Sequence, residues 1–169
     1  MTVRIREAAE ADWPAIWPIV EAVVRAGETY VYPRDLTEDA ARALWMQGAP
    51  GVTLVAVDDD GRMLLGTAKA GPNYPGPGAH VANASFMVAE DARGRGVGRA
   101  LAEATIEWAR DAGFHAMQFN AVVAANRSAV HLWQALGFRI IGTAPEAFDH
   151  PGEGLVGLHI MYRNLRGAA

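Results

Sequence analysis

Residues 85–110 read SFMVAEDARGRGVGRALAEATIEWAR, and their reading decides the fold. Phe86-Met87-Val88 is a short apolar strand. Asp91 and Ala92 lead into Arg93-Gly94-Arg95-Gly96-Val97-Gly98. From Arg99 the chain then runs to Asp111 without Gly or Pro, rich in Ala and Leu. A strand, a glycine-bearing turn and a helix in immediate succession make an anion site. Glycines let the backbone approach a ligand closely, and the free N–H groups of the first helical turn point at it. Arg93 and Arg95 in the turn, with Arg99 just behind, add charge suited to phosphate.

Two common phosphate loops fail here on their own terms. A dinucleotide fingerprint, G-x-G-x-x-G, counted from Gly94 needs Gly where Arg99 stands, and counted from Gly96 needs it where Leu101 stands. A G-x-x-x-x-G-K-[ST] loop lacks both its second glycine and its lysine. The spacing that fits is R-x-x-G-x-G, in Arg93, Gly96 and Gly98. The bland alternative is a helix N-terminus with glycines for packing and arginines for solubility.

Bulk properties narrow the field. The chain has 169 residues, enough for one domain with a sizeable core, and 51% of them are hydrophobic. A net charge of −4 leaves no basic footprint for nucleic acid. The absence of cysteine excludes thiol catalysis, disulfides and Cys-ligated zinc. No apolar run approaches a membrane span, and the alternating start, Met1 to Arg6, lacks the apolar block of a signal peptide. The expectation is a soluble cytoplasmic protein with no membrane partner and no metal.

Taken in order, Val3 to Arg6 alternates as a first strand. Asp12 is placed to cap a helix over Trp13–Arg25, with Pro14 in its first turn, Pro18 as a possible kink and Gly27 as its stop. A loop with Tyr30 and Tyr32 follows. Thr37 caps a second helix, Glu38–Gln47. Val52–Val57 and Met63–Ala70 form a hairpin about Asp58-Asp59-Asp60-Gly61, a solvated turn rather than a metal site. Gly71–Gly78, with three prolines and three glycines in the sequence Gly71-Pro72-Asn73-Tyr74-Pro75-Gly76-Pro77-Gly78, reads as a rigid loop walling a pocket. His80–Val88 is the fourth strand. After the central helix, Gly113 is a stop and Ala116–Val123 a fifth strand. Asn126 caps a helix through Leu136. Phe138–Thr143 and Leu155–Tyr162 are the last strands, with Pro145–Gly154 a loop between them. The order β-α-α-β-β-β-α-β-α-β-β indicates an α/β (α+β) chain, a mixed sheet with helices on both faces.

This order and the Arg93–Gly98 loop resemble the GCN5-related N-acetyltransferase (GNAT) family. Asn126-Arg127-Ser128-Ala129 followed by Leu136-Gly137-Phe138 is similar to its N-x-x-A…L-G-F stretch. The resemblance covers essentially the whole chain and implies a single N-acetyltransferase domain over 1–169. Its sheet would be mostly antiparallel and splayed between strands four and five. It also implies acetyl-CoA as co-substrate and a small-molecule amine acceptor, and makes a homodimer plausible. Loop residues Arg93, Gly94, Arg95, Gly96, Val97, Gly98 and Arg99 would hold the pyrophosphate. Asn126 and Trp133 would lie along the CoA arm, and a backbone N–H of Met87 or Val88 would receive the oxyanion. The family often has Tyr seven residues after the Asn. Here that position is Trp133, which can donate a hydrogen bond but not act as a general acid.

Asn83 and Asn120 interrupt apolar strands, where Asn is disfavoured, so polar work at the splay is expected of them. Bulge or turn-end asparagines bonded to backbone are the plain alternative. A narrower resemblance lies in Gly27-x-Thr29-Tyr30, Lys69 with Pro72-Asn73-Tyr74, His80-x-x-Asn83-Ala84-x-Phe86, Phe119-Asn120, Asn126 and Trp133. Together these are similar to yeast azetidine-2-carboxylate (proline-analogue) N-acetyltransferases. That resemblance implies a small amino or imino acid as acceptor, with Asn83 and Asn120 in substrate handling and catalysis. Glu28 does not match it. Tyr30, Tyr74 and His80 are further candidates for the acceptor pocket, His80 as a base through water. The competing readings are a protein or peptide N-acetyltransferase and a non-catalytic CoA-binding module.

Overall fold

The computed structural model describes residues 3–167. Met1, Thr2, Ala168 and Ala169, inside the expected domain span, lie outside the described residues. The strands are β1 (Arg4–Glu7), β2 (Val52–Val57), β3 (Leu64–Pro72), β4 (Val81–Val88), β5 (Ala116–Val123), β6 (Arg139–His150) and β7 (Gly154–Asn164). The helices are α1 (Trp13–Ala26), α2 (Glu38–Trp45), α3 (Val97–Asp111) and α4 (Arg127–Ala135). One mixed sheet runs β1-β2-β3-β4-β5-β7-β6. All its pairings are antiparallel except β4–β5, which is parallel.

Both faces of the sheet's first half are covered, and β2 shows why its sequence lacks a polar face. Val52, Leu54 and Ala56 point into the core under α3 and α4, while Val55 and Val57 point into the core under α1 and α2. All six of its residues are buried, as expected of a strand covered on both sides. Trp45, at the end of α2, ties its helix to the sheet. Its indole N–H donates to Thr67 Oγ1 at 2.9 Å, and its carbonyl accepts from Thr53 Oγ1 at 2.8 Å.

Several expectations are corrected. Pro145–Gly154 is not a loop: β6 continues to His150 and pairs with β7 down to His150↔Gly154. Register shifts between Ala144 and Phe148 absorb Pro145, with Glu146 at φ 50°. A proline is tolerated there because β6 is the edge strand and the bulged residues donate to no ladder. Gly71 and Pro72 belong to β3, paired with Asn83 and Ala82. Asp12 makes no side-chain cap on α1. Its carboxylate instead accepts from Ala9 N–H and from Arg6, at 2.7 Å each. The Arg6 hydrogen bond holds the Asp12 carboxyl below its ordinary range. α1 runs through Pro18 without interruption.

Candidate active site

β4 and β5 share only two rungs, Val81↔Ala116 and Ala82↔Met117. In place of a third, Asn83 Nδ2 donates to Gln118 O across the gap at 3.0 Å. Beyond it the strands part around a cleft of about 730 Å³. Asn83 therefore sits where ladder hydrogen bonding stops, which accounts for a polar side chain in an apolar strand.

Ladder parity says which backbone groups face the cleft. Asn73 N–H donates to Val81 O and Ala89 N–H to Leu65 O, so the odd-numbered residues of β4 turn toward β3. His80 O accepts from His115 N–H, so the even-numbered ones turn toward β5. Met87 is thus spent on β3, opposite Thr67, with its side chain buried. Ala84, Phe86 and Val88 present their N–H groups to the opening. Of the two amides offered by the sequence, Val88 is the one whose N–H faces the cleft.

Phe86 has a substitute for the absent strand. Its N–H donates to the Tyr30 hydroxyl at 2.8 Å, and that hydroxyl donates to Phe86 O at 2.7 Å. Burial pushes the Tyr30 phenol well above its usual range, so it stays protonated. The ring stacks on Tyr32 at 5.6 Å and meets Trp45 edge-on at 6.5 Å. Tyr30 lines the cleft as expected, but its hydroxyl is committed to backbone and is not free to bind an acceptor. Trp133 lies against Phe86 and Phe119, with ring centroids 4.9 and 4.7 Å away, and is 8% exposed. It forms an apolar wall of the cleft.

One end of the cleft is backbone. Gly94 and Gly96 have φ of 73° and 81°, and Gly96 is the N-cap of α3. Ala100 N–H is the first to find a helical acceptor, Gly96 O at 3.0 Å, which leaves the amides of Val97, Gly98 and Arg99 without one in the helix. A Cβ on Gly98 would meet Val88 Cγ2 at 3.7 Å and Leu132 Cδ2 at 3.8 Å, ordinary contacts, so packing does not demand glycine there. Arg93, Gly94, Gly96, Val97, Gly98 and Arg99 all line the cleft, as do Asn126 and Trp133. Arg95 does not; its guanidinium turns back to Asp91 O at 3.4 Å. Asn126 caps α4, accepting from Ala129 N–H at 3.3 Å. Free amides, a glycine without a packing reason and two arginines fit the pyrophosphate of a CoA thioester.

The other end is a set of carboxamides. The β5–β7 register shifts between Phe119 and Val122, so Asn120 sits in a bulge. Asn120 Nδ2 donates to Asn73 Oδ1 at 2.7 Å, Asn73 Nδ2 donates back at 3.3 Å, and Gln118 Nε2 donates to Asn120 Oδ1 at 2.9 Å. Asn83 and Asn120 both line the cleft, yet each is bonded to a third group rather than to the other. Asn73 and Gln118 do not line the cleft themselves; they hold Asn120, a role not expected of either. The signal for Gln118 was its spacing of two from Asn120, which puts both on one face of β5.

Other expected residues lie elsewhere. His80 is exposed at the entry of β4, its Nδ1 3.1 Å from Pro77 O and its ring 5.4 Å from that of His115. It does not line the cleft, being at the paired end of β4. Tyr74 is 58% exposed, under Gly78, and does not line it either. Lys69 donates to Leu44 O at 2.9 Å, at the end of α2. Among the described residues no group of three or more His, Cys, Asp or Glu is placed to hold a metal, and no helix is long and apolar enough to cross a membrane.

Comparison with known proteins gives this arrangement a class. Residues 4–138 match the model of the Acetyltransferase (GNAT) family, and the chain belongs to that family. It is similar over 98% of its length to an L-methionine sulfoximine/L-methionine sulfone acetyltransferase of Pseudomonas aeruginosa, at 32% identity, covering 96% of that protein. It is 36% identical over 113 residues, 66% of the chain, to N-acetyltransferase aca1 of Schizosaccharomyces pombe, and spans about half of that relative, 54%. Among solved structures, a GCN5-related N-acetyltransferase from Kribbella flavida matches at 59% identity and TM-score 0.93, over 96% of this chain and 97% of that one. The yncA acetyltransferase of Salmonella typhimurium, solved with acetyl-CoA, matches at 26% identity and TM-score 0.83, over 100% and 97%. The family is one of acetyltransferases, and two structural neighbours of this chain are solved with acetyl-CoA. The name of the fission-yeast relative carries no acceptor, so the comparisons reach the family and not the proline-analogue acceptor.

Proposed function

We propose that the protein transfers acetyl from acetyl-CoA to the amine of a small molecule of the amino-acid class, by direct attack through a tetrahedral intermediate. One observation carries the reading: a single cleft joins the free amides of Val97, Gly98 and Arg99 to the edge of β4 at Val88 and then to the carboxamides of Asn83 and Asn120, the latter held by Asn73 and Gln118.

In this reading the pyrophosphate lies on the α3 N-terminus between Arg93 and Arg99, where the helix's partial positive charge adds to theirs. The CoA arm follows the open edge of β4, past Asn126 and Trp133. The Val88 N–H meets the thioester oxygen. A fixed donor there is worth roughly 10²–10³ in rate, because its strongest hydrogen bond is to the oxyanion. The amine attacks the carbonyl carbon, the C–N bond forms and the C–S bond breaks. Trp133 supplies no proton, so the thiolate takes one from the ammonium formed by attack or from water. The carboxamides hold the polar part of the acceptor without adding charge. The Pseudomonas relative, named for two methionine derivatives, supports an acceptor of amino-acid type.

The test is acetyl-CoA-dependent thiol release against a panel of proline and small-ring analogues, methionine sulfoximine, primary amino acids, polyamines and a basic peptide. Turnover confined to amino or imino acids is expected. Turnover of the peptide or polyamines alone contradicts the acceptor class.

A further inference from the structure

Acetyl transfer needs a neutral amine, and an amine of pKa about 9–10 arrives protonated at neutral pH, so a proton must leave before attack. The histidines are poor candidates to take it. His80 and His115 sit together at the paired end of β4, and His131, His150 and His159 do not line the cleft. The Tyr30 hydroxyl is closed on Phe86 and kept protonated by burial. Among the residues lining the cleft, the charged side chains are Arg93 and Arg99 at the phosphate end and one acid, Glu28.

Glu28 is exposed on the loop between α1 and α2, and the structure gives its carboxylate no hydrogen bond and no ion pair. The loop it stands on is held in place. Gly27 stops α1 in a left-handed conformation, φ 66°, and two residues beyond Glu28 the Tyr30 hydroxyl bridges both backbone groups of Phe86. Phe86 is two residues from Val88 on the cleft-facing edge of β4. The anchor therefore brings an uncommitted carboxylate to the opening beside the strand that carries the oxyanion donor.

We infer that Glu28 receives the acceptor's ammonium and takes its proton through water; this rests on the function proposed above. The ammonium gives one proton to water as water gives one to the Glu28 carboxylate, and the amine is left with a free lone pair. The lone pair forms the C–N bond, the C–S bond breaks, and the nitrogen's surplus proton goes to the thiolate. The products are the N-acetyl amine and CoA thiol, and Glu28 returns its proton to solvent. The other charged groups around it are Arg34, whose guanidinium packs on Gly27, and Arg93 and Arg99 across the cleft.

The experiment measures kcat/KM for the best acceptor from pH 6.5 to 10 in the wild type, Glu28→Gln and Glu28→Asp, with the KM for acetyl-CoA beside it. The expected result is a loss of roughly 100-fold in Glu28→Gln near pH 7, shrinking toward pH 10 as solvent deprotonates the amine, with acetyl-CoA KM unchanged and partial recovery in Glu28→Asp. Because the side chain is exposed and unpartnered, folding is not at stake. An active wild type beside an indifferent Glu28→Gln, or a loss independent of pH, overturns this inference alone. A wild type silent on every acceptor overturns the functional reading and this inference with it.

Discussion

The two ends of the cleft are built from different materials. At the end proposed for the phosphates the groups on offer are backbone amides of consecutive residues, Val97 to Arg99, presented by a helix N-terminus after two left-handed glycines. At the end proposed for the acceptor they are side chains from three separate segments, Glu28 before α2, Asn83 in β4 and Asn120 in β5, with Asn73 and Gln118 behind Asn120. The first end is a local motif and the second is a product of topology. Binding of the common co-substrate and choice of acceptor should therefore be separable by mutation.

Trp133 belongs to both ends and to the core. It touches Phe86, Phe119 and Phe138. Trp133→Ala should cost about 3–5 kcal/mol. A melting experiment should show a fall of roughly 10 °C, with acetyl-CoA and acceptor kinetics impaired together.

Tyr30→Phe tests the acceptor side. It leaves the Phe86 N–H and C=O without partners, at about 1–3 kcal/mol, and frees the loop that carries Glu28. Acceptor kcat should fall while acetyl-CoA KM holds. The pH dependence has a definite sign. Tyr30's pKa is raised above its ordinary value of 10.0, so its contribution is complete below pH 10 and is lost as pH rises above it, where the unfolded chain ionises first. Denaturant titrations at pH 8 and 11 should show the wild type losing more stability than Tyr30→Phe does.

Gly96→Ala tests the opposite end. A φ of 81° costs an L-residue about 1–2 kcal/mol, although no atom lies within 4 Å of the new Cβ. Calorimetry should show weaker acetyl-CoA binding and a melting point lower by a few degrees, with acceptor selectivity unchanged.

The same contrast explains what the sequence disclosed. Arg93, Gly96 and Gly98 could be picked out because their pattern is written in six consecutive residues, and all three line the cleft. The Asn126 cap was legible because capping is a matter of three. Asn83 and Asn120 could be picked out as misplaced polar residues, but not their partners, since Gln118 O and Asn73 come into reach only when the strands are laid side by side. Tyr30 lines the cleft as expected, but nothing local announces that its hydroxyl replaces a missing strand rung. His80 and Tyr74 were misplaced for the reverse reason: nearness along the chain to β4 says nothing about which end of β4 opens. The extent of β6 was hidden because most of its positions are exposed and give no alternation, and Pro145 reads as a breaker unless the strand is known to be an edge.

The most direct test of two separable ends is a calorimetric titration of acetyl-CoA into the wild type, Arg93→Ala and Asn120→Ala. Losing a charge-assisted phosphate contact should weaken binding roughly 10- to 100-fold in Arg93→Ala, while Asn120→Ala binds as the wild type does and loses only acceptor turnover. Equal weakening in both variants, or none in Arg93→Ala, would contradict the account.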